Sequence, residues 1–252
     1  MNLSAIFKLN VKLHPKILDA NEPTMRLNQN IIILLLLLFS PIVTADMYVD
    51  RSIVIFEPGT QSRQDIKVSN SGEDIMYIQV EVFQVNHPGE IEEERIKISD
   101  PKQIKLIATP NKLIIPAGGQ KLVRILNLDK KQDIERIYRI NITPIVAPLE
   151  EDISQLRIIV AYQVLAIIQP IERSSDLKFT RTNSKIIFRN EGTTNVLLSD
   201  GNQCNPRNPE DCEDLTSRRL YAGNIWELDL PFNAPVAYSV RSFDGIKKQV
   251  FQ

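Results

Sequence analysis

The sequence predicts an all-β fold, two immunoglobulin-like β-sandwiches in tandem behind a cleaved signal peptide, and three observations predict it. Residues 47–168 alternate short runs rich in β-branched residues with turn residues, and no long segment carries a helical period. A second series of such runs starts at Leu177, after the polar stretch 172–176. Ahead of both stands an unbroken apolar run, residues 31–39.

That run has the layout of a secretory signal. Arg26 supplies the positive region, 31–39 the greasy core, and Val43 and Ala45 the third-last and last positions of a cut site, so cleavage is expected after Ala45 and translation from Met25. A membrane anchor is the competing reading, but 31–43 contains Ser40 and Pro41 and is shorter than the roughly 20 residues a spanning helix needs. No stable membrane insertion is therefore expected. The chain carries 30 basic and 31 acidic side chains; Lys8, Lys12, Lys16, Arg26, Asp19 and Glu22 would leave with residues 1–45, for a mature net charge of −3. Such a balance offers no global attraction to nucleic acid or anionic lipid.

The first domain is expected over residues 46–170. Its strands are 52–56, 65–69, 76–85, 112–115, 120–126, 136–142 and 155–169, separated by turns such as Glu57-Pro58-Gly59, Asn70-Ser71-Gly72, Asn86-His87-Pro88-Gly89 and Pro116-Ala117-Gly118-Gly119. Seven strands in about 120 residues are what one immunoglobulin-like sandwich holds. Pro170 ends the last run, and 172–176 can turn the corner into a second domain, 171–252, with strands 177–179, 185–188, 195–198, 225–230, 237–240 and 249–251. The two cysteines, Cys204 and Cys212, meet an oxidising compartment after export and are expected to form a disulfide. A metal site or redox pair is disfavoured, because CxxC spacing is absent and no histidine lies nearby.

No catalytic residue, cofactor or metal is expected. The sequence has no GxSxG, GxxxxGK[ST] or HExxH, and His87 stands in a turn. The clusters Glu92-Glu93-Glu94 and Glu150-Glu151-Asp152 read as solvated loop faces rather than acid and base pairs.

The most informative segment is the run 155–169. Leu156, Ile158, Val160 and Tyr162 fall on one face at period two, while Ile159, Ala161 and Leu165 make the other face apolar as well. A small sandwich uses one face of a strand for its core, so the surplus face needs a cover. Two readings stay open: a central strand unusually rich in apolar residues, or an edge strand lent to another protein by β-augmentation.

Several stretches carry a resemblance: Ala108-Thr109-Pro110, the Pro116-Ala117-Gly118 turn leading to Leu122-Val123-Arg124-Ile125, Ile137-Tyr138-Arg139-Ile140-Asn141, the apolar run closed by Pro170, and Arg219-Leu220-Tyr221-Ala222-Gly223. In order and spacing they resemble the periplasmic pilus chaperones of the chaperone/usher pathway, in particular the non-classical branch exemplified by chaperones of class 5 fimbriae of enterotoxigenic bacteria. The resemblance implies an L-shaped pair of immunoglobulin-like domains in the periplasm, binding pilus subunits by donor-strand complementation and passing them to an outer-membrane usher. It implies Leu156, Ile158 and Val160, with Tyr162 as a fourth, as the side chains inserted into the subunit. Other members anchor the subunit's terminal carboxylate with an Arg and a Lys whose positions align here with Ile53 and Leu165. The cations left for that role are Arg139, Arg124 and Arg51. An Arg that elsewhere makes an interdomain salt bridge is Gln169 here, so that bridge cannot form in the same way. A secreted adhesive or structural module is the alternative, but the segment 46–50 offers no apolar donor arm of its own.

Overall fold

The computed structural model describes residues 46–129, 131–145 and 159–252. The export signal, the Met25 start, Leu156 and Ile158 lie outside the described residues. Every regular element among the described residues is a strand: β1 (Met47–Val49), β2 (Ile53–Phe56), β3 (Arg63–Asn70), β4 (Met76–Asn86), β5 (Glu94–Ile96), β6 (Leu106–Thr109), β7 (Lys112–Ile115), β8 (Gln120–Asn127), β9 (Arg136–Ile145) and β10 (Tyr162–Ile168), then β11 (Leu177–Arg181), β12 (Lys185–Asn190), β13 (Val196–Asn205), β14 (Asn208–Leu215), β15 (Arg218–Leu220), β16 (Ile225–Asp229), β17 (Val236–Ser242) and β18 (Gly245–Phe251).

They form two sandwiches. In the first, the sheet β1-β3-β8-β6 faces the sheet β2-β10-β9-β4-β5, to which β7 adds on β4. Between them lies an aliphatic core that includes Ile66, Ile78, Val123, Ile125, Ile140, Ile142, Val164, Ala166 and Ile168. In the second, β11-β12-β16 faces β14-β13-β17-β18, with β15 on β13. Its core is aromatic at the centre, where Phe188 stacks on Trp226 and meets Tyr238 and Phe251 edge to face. Burying each such side chain contributes about 1.5–3 kcal/mol over leaving it exposed, which is why the alternation in these runs fixes the inward face.

The expected strands are present, most with wider limits, and four more were not expected. β5, β6 and β15 are three or four residues long and too short to show a period. β14 reads NPEDCEDL and is exposed along most of its length. It is a strand because it hairpins onto β13 with Cys204 opposite Cys212, and those two cysteines are joined by a disulfide.

One turn is built twice. Asn70 ends β3 with its side chain buried: its amide donates to the carbonyls of Asp74 (2.7 Å), Ile115 (3.1 Å) and Pro116 (3.2 Å), and its oxygen accepts from the Gly72 N–H (3.0 Å). Asn190 ends β12 and donates to Thr194 (2.8 Å) and Leu220 (3.0 Å) while accepting from Gly192 (3.0 Å). Each asparagine's backbone N–H then reaches a second turn, at Gly119 O (2.9 Å) and Asn224 O (3.0 Å) respectively.

Candidate functional site

Strand β10 has two different halves. Leu165–Ile168 pair in parallel with Ile53–Phe56 of β2 and antiparallel with β9, so they are hydrogen-bonded on both sides. Tyr162, Gln163 and Val164 pair with β9 alone. Just before them Ile159 and Val160 are 46% and 39% exposed and belong to no strand. The expectation of one strand over 155–169 is corrected on this point: within the described residues the strand begins at Tyr162. The expectation of an edge strand is corrected too, because the half that enters the fold runs between two neighbours and only the preceding half has an open side.

Both faces of β10 are apolar for a reason the pattern alone did not locate. Val164, Ala166 and Ile168 enter the first core. Leu165 and Ile167 point the other way and cluster with Val85, Ile137 and, from the second sandwich, Tyr221. The cover for the surplus face of this half is therefore the chain's own second sandwich. Tyr162 points to the core side, half-buried, and its hydroxyl donates to the Met47 carbonyl at 3.0 Å.

Register places the candidate cations. Arg139 on β9 stands between Leu165 of β10 and Phe83 of β4, and Leu165 in turn stands beside Ile53 of β2. The two positions that align with the family's anchoring cations are thus neighbours, and Arg139 is the next residue along the same row. Its Nε is buried and has no hydrogen-bond partner. Arg124 lies on β8, in the opposite sheet, and its Nε donates to Asp65 at 3.2 Å. Arg51 donates twice to the adjacent Asp50, at 3.1 and 2.9 Å. The structure therefore does not bring the three arginines together.

Polar contacts line the junction around this row. Arg218 Nη2 donates to Gly89 O (2.9 Å), and Asn224 Nδ2 donates to Glu90 Oε1 (3.0 Å). Gln169 does not take part in an ion pair: its Oε1 accepts from Arg173 Nη1 at 3.2 Å. Glu135 is 6% exposed and accepts from Asn195 Nδ2 at 2.7 Å, while Asn195 Oδ1 accepts from Arg219 Nη1. Burial pushes the Glu135 carboxyl up to about 7, against the hydrogen bond from Asn195 and the field of Arg219. Burial also lowers Arg219, in the same direction as its neighbours Arg241 and Arg139 and against Tyr221 and Glu135. Sequence reasoning missed Glu135, Asn195 and Arg219 as junction residues. The signal was there for one of them: Glu135 shares the period-two face of Ile137 and Arg139.

Among the described residues no group of three or more His, Cys, Asp and Glu could hold a metal ion, and no helix is long and apolar enough to cross a membrane. Residues 46–173 match the family described as pili and flagellar-assembly chaperone, PapD N-terminal domain. The chain is 26% identical over 195 residues to a CS1 fimbrial protein of Escherichia coli, covering 73% of this chain and 81% of that protein. Its fold is similar to the crystal structure of the class 5 fimbriae chaperone CfaA, with a TM-score of 0.60 and 21% identity over 82% of this chain and 99% of that one. It is likewise similar to a chain of the Salmonella enterica SafA pilin in complex with the SafB chaperone, with a TM-score of 0.60 and 14% identity over 83% of this chain and 97% of that one.

Proposed function

The chain belongs to the pili and flagellar-assembly chaperone family, and from that membership we propose that it lends residues 156–162 as a strand to a pilus subunit, keeps that subunit folded in the periplasm, and delivers it to an outer-membrane usher. It acts by binding and carries out no covalent chemistry. The adhesive-module alternative is not favoured by the family match. We assign residues 46–170 to the strand-donating domain and 171–252 to the second; the separate cores, one within 47–168 and one within 177–251, support that division.

The observation that carries the reading is the one-sided half of β10. Tyr162, Gln163 and Val164 have a partner on the β9 side only, so an incoming strand can pair there and extend the sheet. By alternation Leu156, Ile158 and Val160 share the parity of Val164 and Ala166, which enter the first core. A subunit groove seated on them prolongs that core. Each aliphatic side chain inserted contributes about 1.5–3 kcal/mol before ordering costs are subtracted. Tyr162 is already engaged with Met47 and marks where the chaperone's own core ends and the lent segment begins.

For the subunit's terminal carboxylate we favour Arg139. Its Nε has no partner and it continues the row of Ile53 and Leu165, whereas Arg124 and Arg51 are spent on Asp65 and Asp50. A buried carboxylate needs a guanidinium fork of this kind.

The test is co-expression with a pilin encoded beside this gene, followed by pull-down. A soluble one-to-one complex is expected with wild type and its loss with Ile158→Asp, with Arg139→Gln weakening it. An unaffected complex in Ile158→Asp would sink strand donation by this segment.

A further inference from the structure

The carboxyl group of Glu135 sits where the two sandwiches meet, and the way it is held is unusual. Its residue leads into β9 of the first sandwich, yet its backbone N–H donates to Thr193 O (3.0 Å) and its Oε2 accepts from Asn195 Nδ2 (2.7 Å), both in the second. Oε1 is buried and accepts no hydrogen bond of normal geometry. The nearest cation, Arg219, is hydrogen-bonded to Asn195 rather than to the carboxylate, so an amide stands between the two charges. An ionised carboxylate in that position has one good hydrogen bond and no ion pair, which is a poor substitute for water. A neutral carboxyl needs far less.

We propose that Glu135 is a proton-controlled latch between the sandwiches: carrying its proton it stays buried and holds Asn195, and on losing it the carboxylate pulls against its burial and loosens the junction. The groups that face it are Asn195, Arg219, Tyr221 and the N–H of Ala222 from the second sandwich, with Arg139 behind Arg219 and Tyr221 on the first. The direction follows from linkage. A carboxyl whose folded value is raised from 4.5 to about 7 binds a proton in the native state that the unfolded chain releases, so the native state loses stability as pH rises through that window and loses no more above it. Because Arg219 stands beside Arg139, the state of the latch is also felt along the row from which we assign the carboxylate anchor, but the latch does not depend on strand donation.

The experiment compares Glu135→Gln with its parent in a His87→Gln background, which removes the sole histidine of residues 46–252 from the loop that packs on Asn224. Urea unfolding midpoints are taken from about pH 4.5 to above about pH 7. The two proteins are expected to coincide at the acid end, with the parent falling progressively below Glu135→Gln and then running parallel to it. In parallel, amide resonances of Thr193, Asn195 and Ala222 are followed through the same titration in the parent. They are expected to share one midpoint near 7, and in Glu135→Gln that transition is absent. A difference between the two proteins that does not change with pH, or second-sandwich amides that do not titrate in the parent, would overturn the latch. If Glu135→Gln does not fold, the amide titration of the parent decides alone.

Discussion

The turn pinned by Asn70 and the turn pinned by Asn190 are the same device in two settings. Each asparagine closes an Asn-x-Gly bend, ties a carbonyl four residues on, reaches the end of a second strand at Ile115 or Leu220, and sends its backbone N–H to a following turn. Those following turns match as well: Gly119 N donates to Pro116 O (2.9 Å) and Asn224 N to Tyr221 O (3.0 Å), each across a glycine of positive φ, Gly118 at 67° and Gly223 at 87°. What differs is the outer side chain. At 116 and 119 stand a proline and a glycine. At 221 and 224 stand Tyr221, buried against Leu165 and Ile167, and Asn224, bonded to Glu90. The repeated backbone shows that the turn is a local solution to a buried strand end. Its decoration converts one copy into the surface on which the sandwiches meet.

Removing the pin tests whether the copies are equivalent. Asn190→Ala leaves Thr194 O, Leu220 O and Gly192 N buried without partners, and at about 1–3 kcal/mol for each unsatisfied group a loss of about 3–4 kcal/mol is expected. Asn70→Ala should cost less, about 2–3 kcal/mol by the same reasoning, because two of its carbonyl partners are only part-buried. Trp226 is the sole tryptophan and lies in the second core, so its fluorescence in urea follows that sandwich, while circular dichroism follows both. Asn190→Ala is expected to shift the fluorescence midpoint strongly and Asn70→Ala mainly the dichroism. Equal shifts on both probes for both variants would mean that the sandwiches unfold as one unit.

The decoration is tested by Tyr221→Ala against Pro116→Ala. Truncating a buried aromatic in a core costs about 3–5 kcal/mol, but a junction can admit water, so about 2 kcal/mol is expected for Tyr221 and under about 1 kcal/mol for the exposed Pro116. Leu165 and Ile167 should show raised amide exchange only in Tyr221→Ala. A cost for Pro116→Ala as large as that for Tyr221→Ala would remove the distinction between the copies.

Much of this was legible in the chain. Asn70-Ser71-Gly72 and Pro116-Ala117-Gly118 read as turns because Asn and Gly accept the backbone such bends need, and the runs around them alternated cleanly enough to set which residues entered each core. β14 was not legible: its composition is that of a loop, and its pairing depends on β13 and the Cys204–Cys212 link rather than on its own residues. The two-faced run ending at Ile168 defeated the pattern differently. Period two says that Leu165 and Val164 oppose each other, but it cannot say that Tyr221, over fifty positions on, covers one of them. The junction charges were hidden for the same reason: Glu135 becomes distinctive only when Asn195 closes over it.

The finest comparison concerns backbone alone. A Cβ built on Gly118 or on Gly223 meets nothing within 4 Å, so alanine at either position introduces no clash, and any cost is that of holding an L-residue at positive φ. That cost is about 1–2 kcal/mol, and it should be almost the same in the two copies despite their different surroundings. Gly223→Ala is expected to be slightly worse, because its φ of 87° lies further than the 67° of Gly118 from the left-handed well near 57° that other residues can enter. Asparagine, which tolerates that well, should recover part of the loss at both sites. Urea midpoints of the four variants check this. If Gly223→Ala cost several times Gly118→Ala, while Gly223→Asn recovered nothing, the second turn would be held by its contacts across the junction and not by the backbone logic it shares with the first.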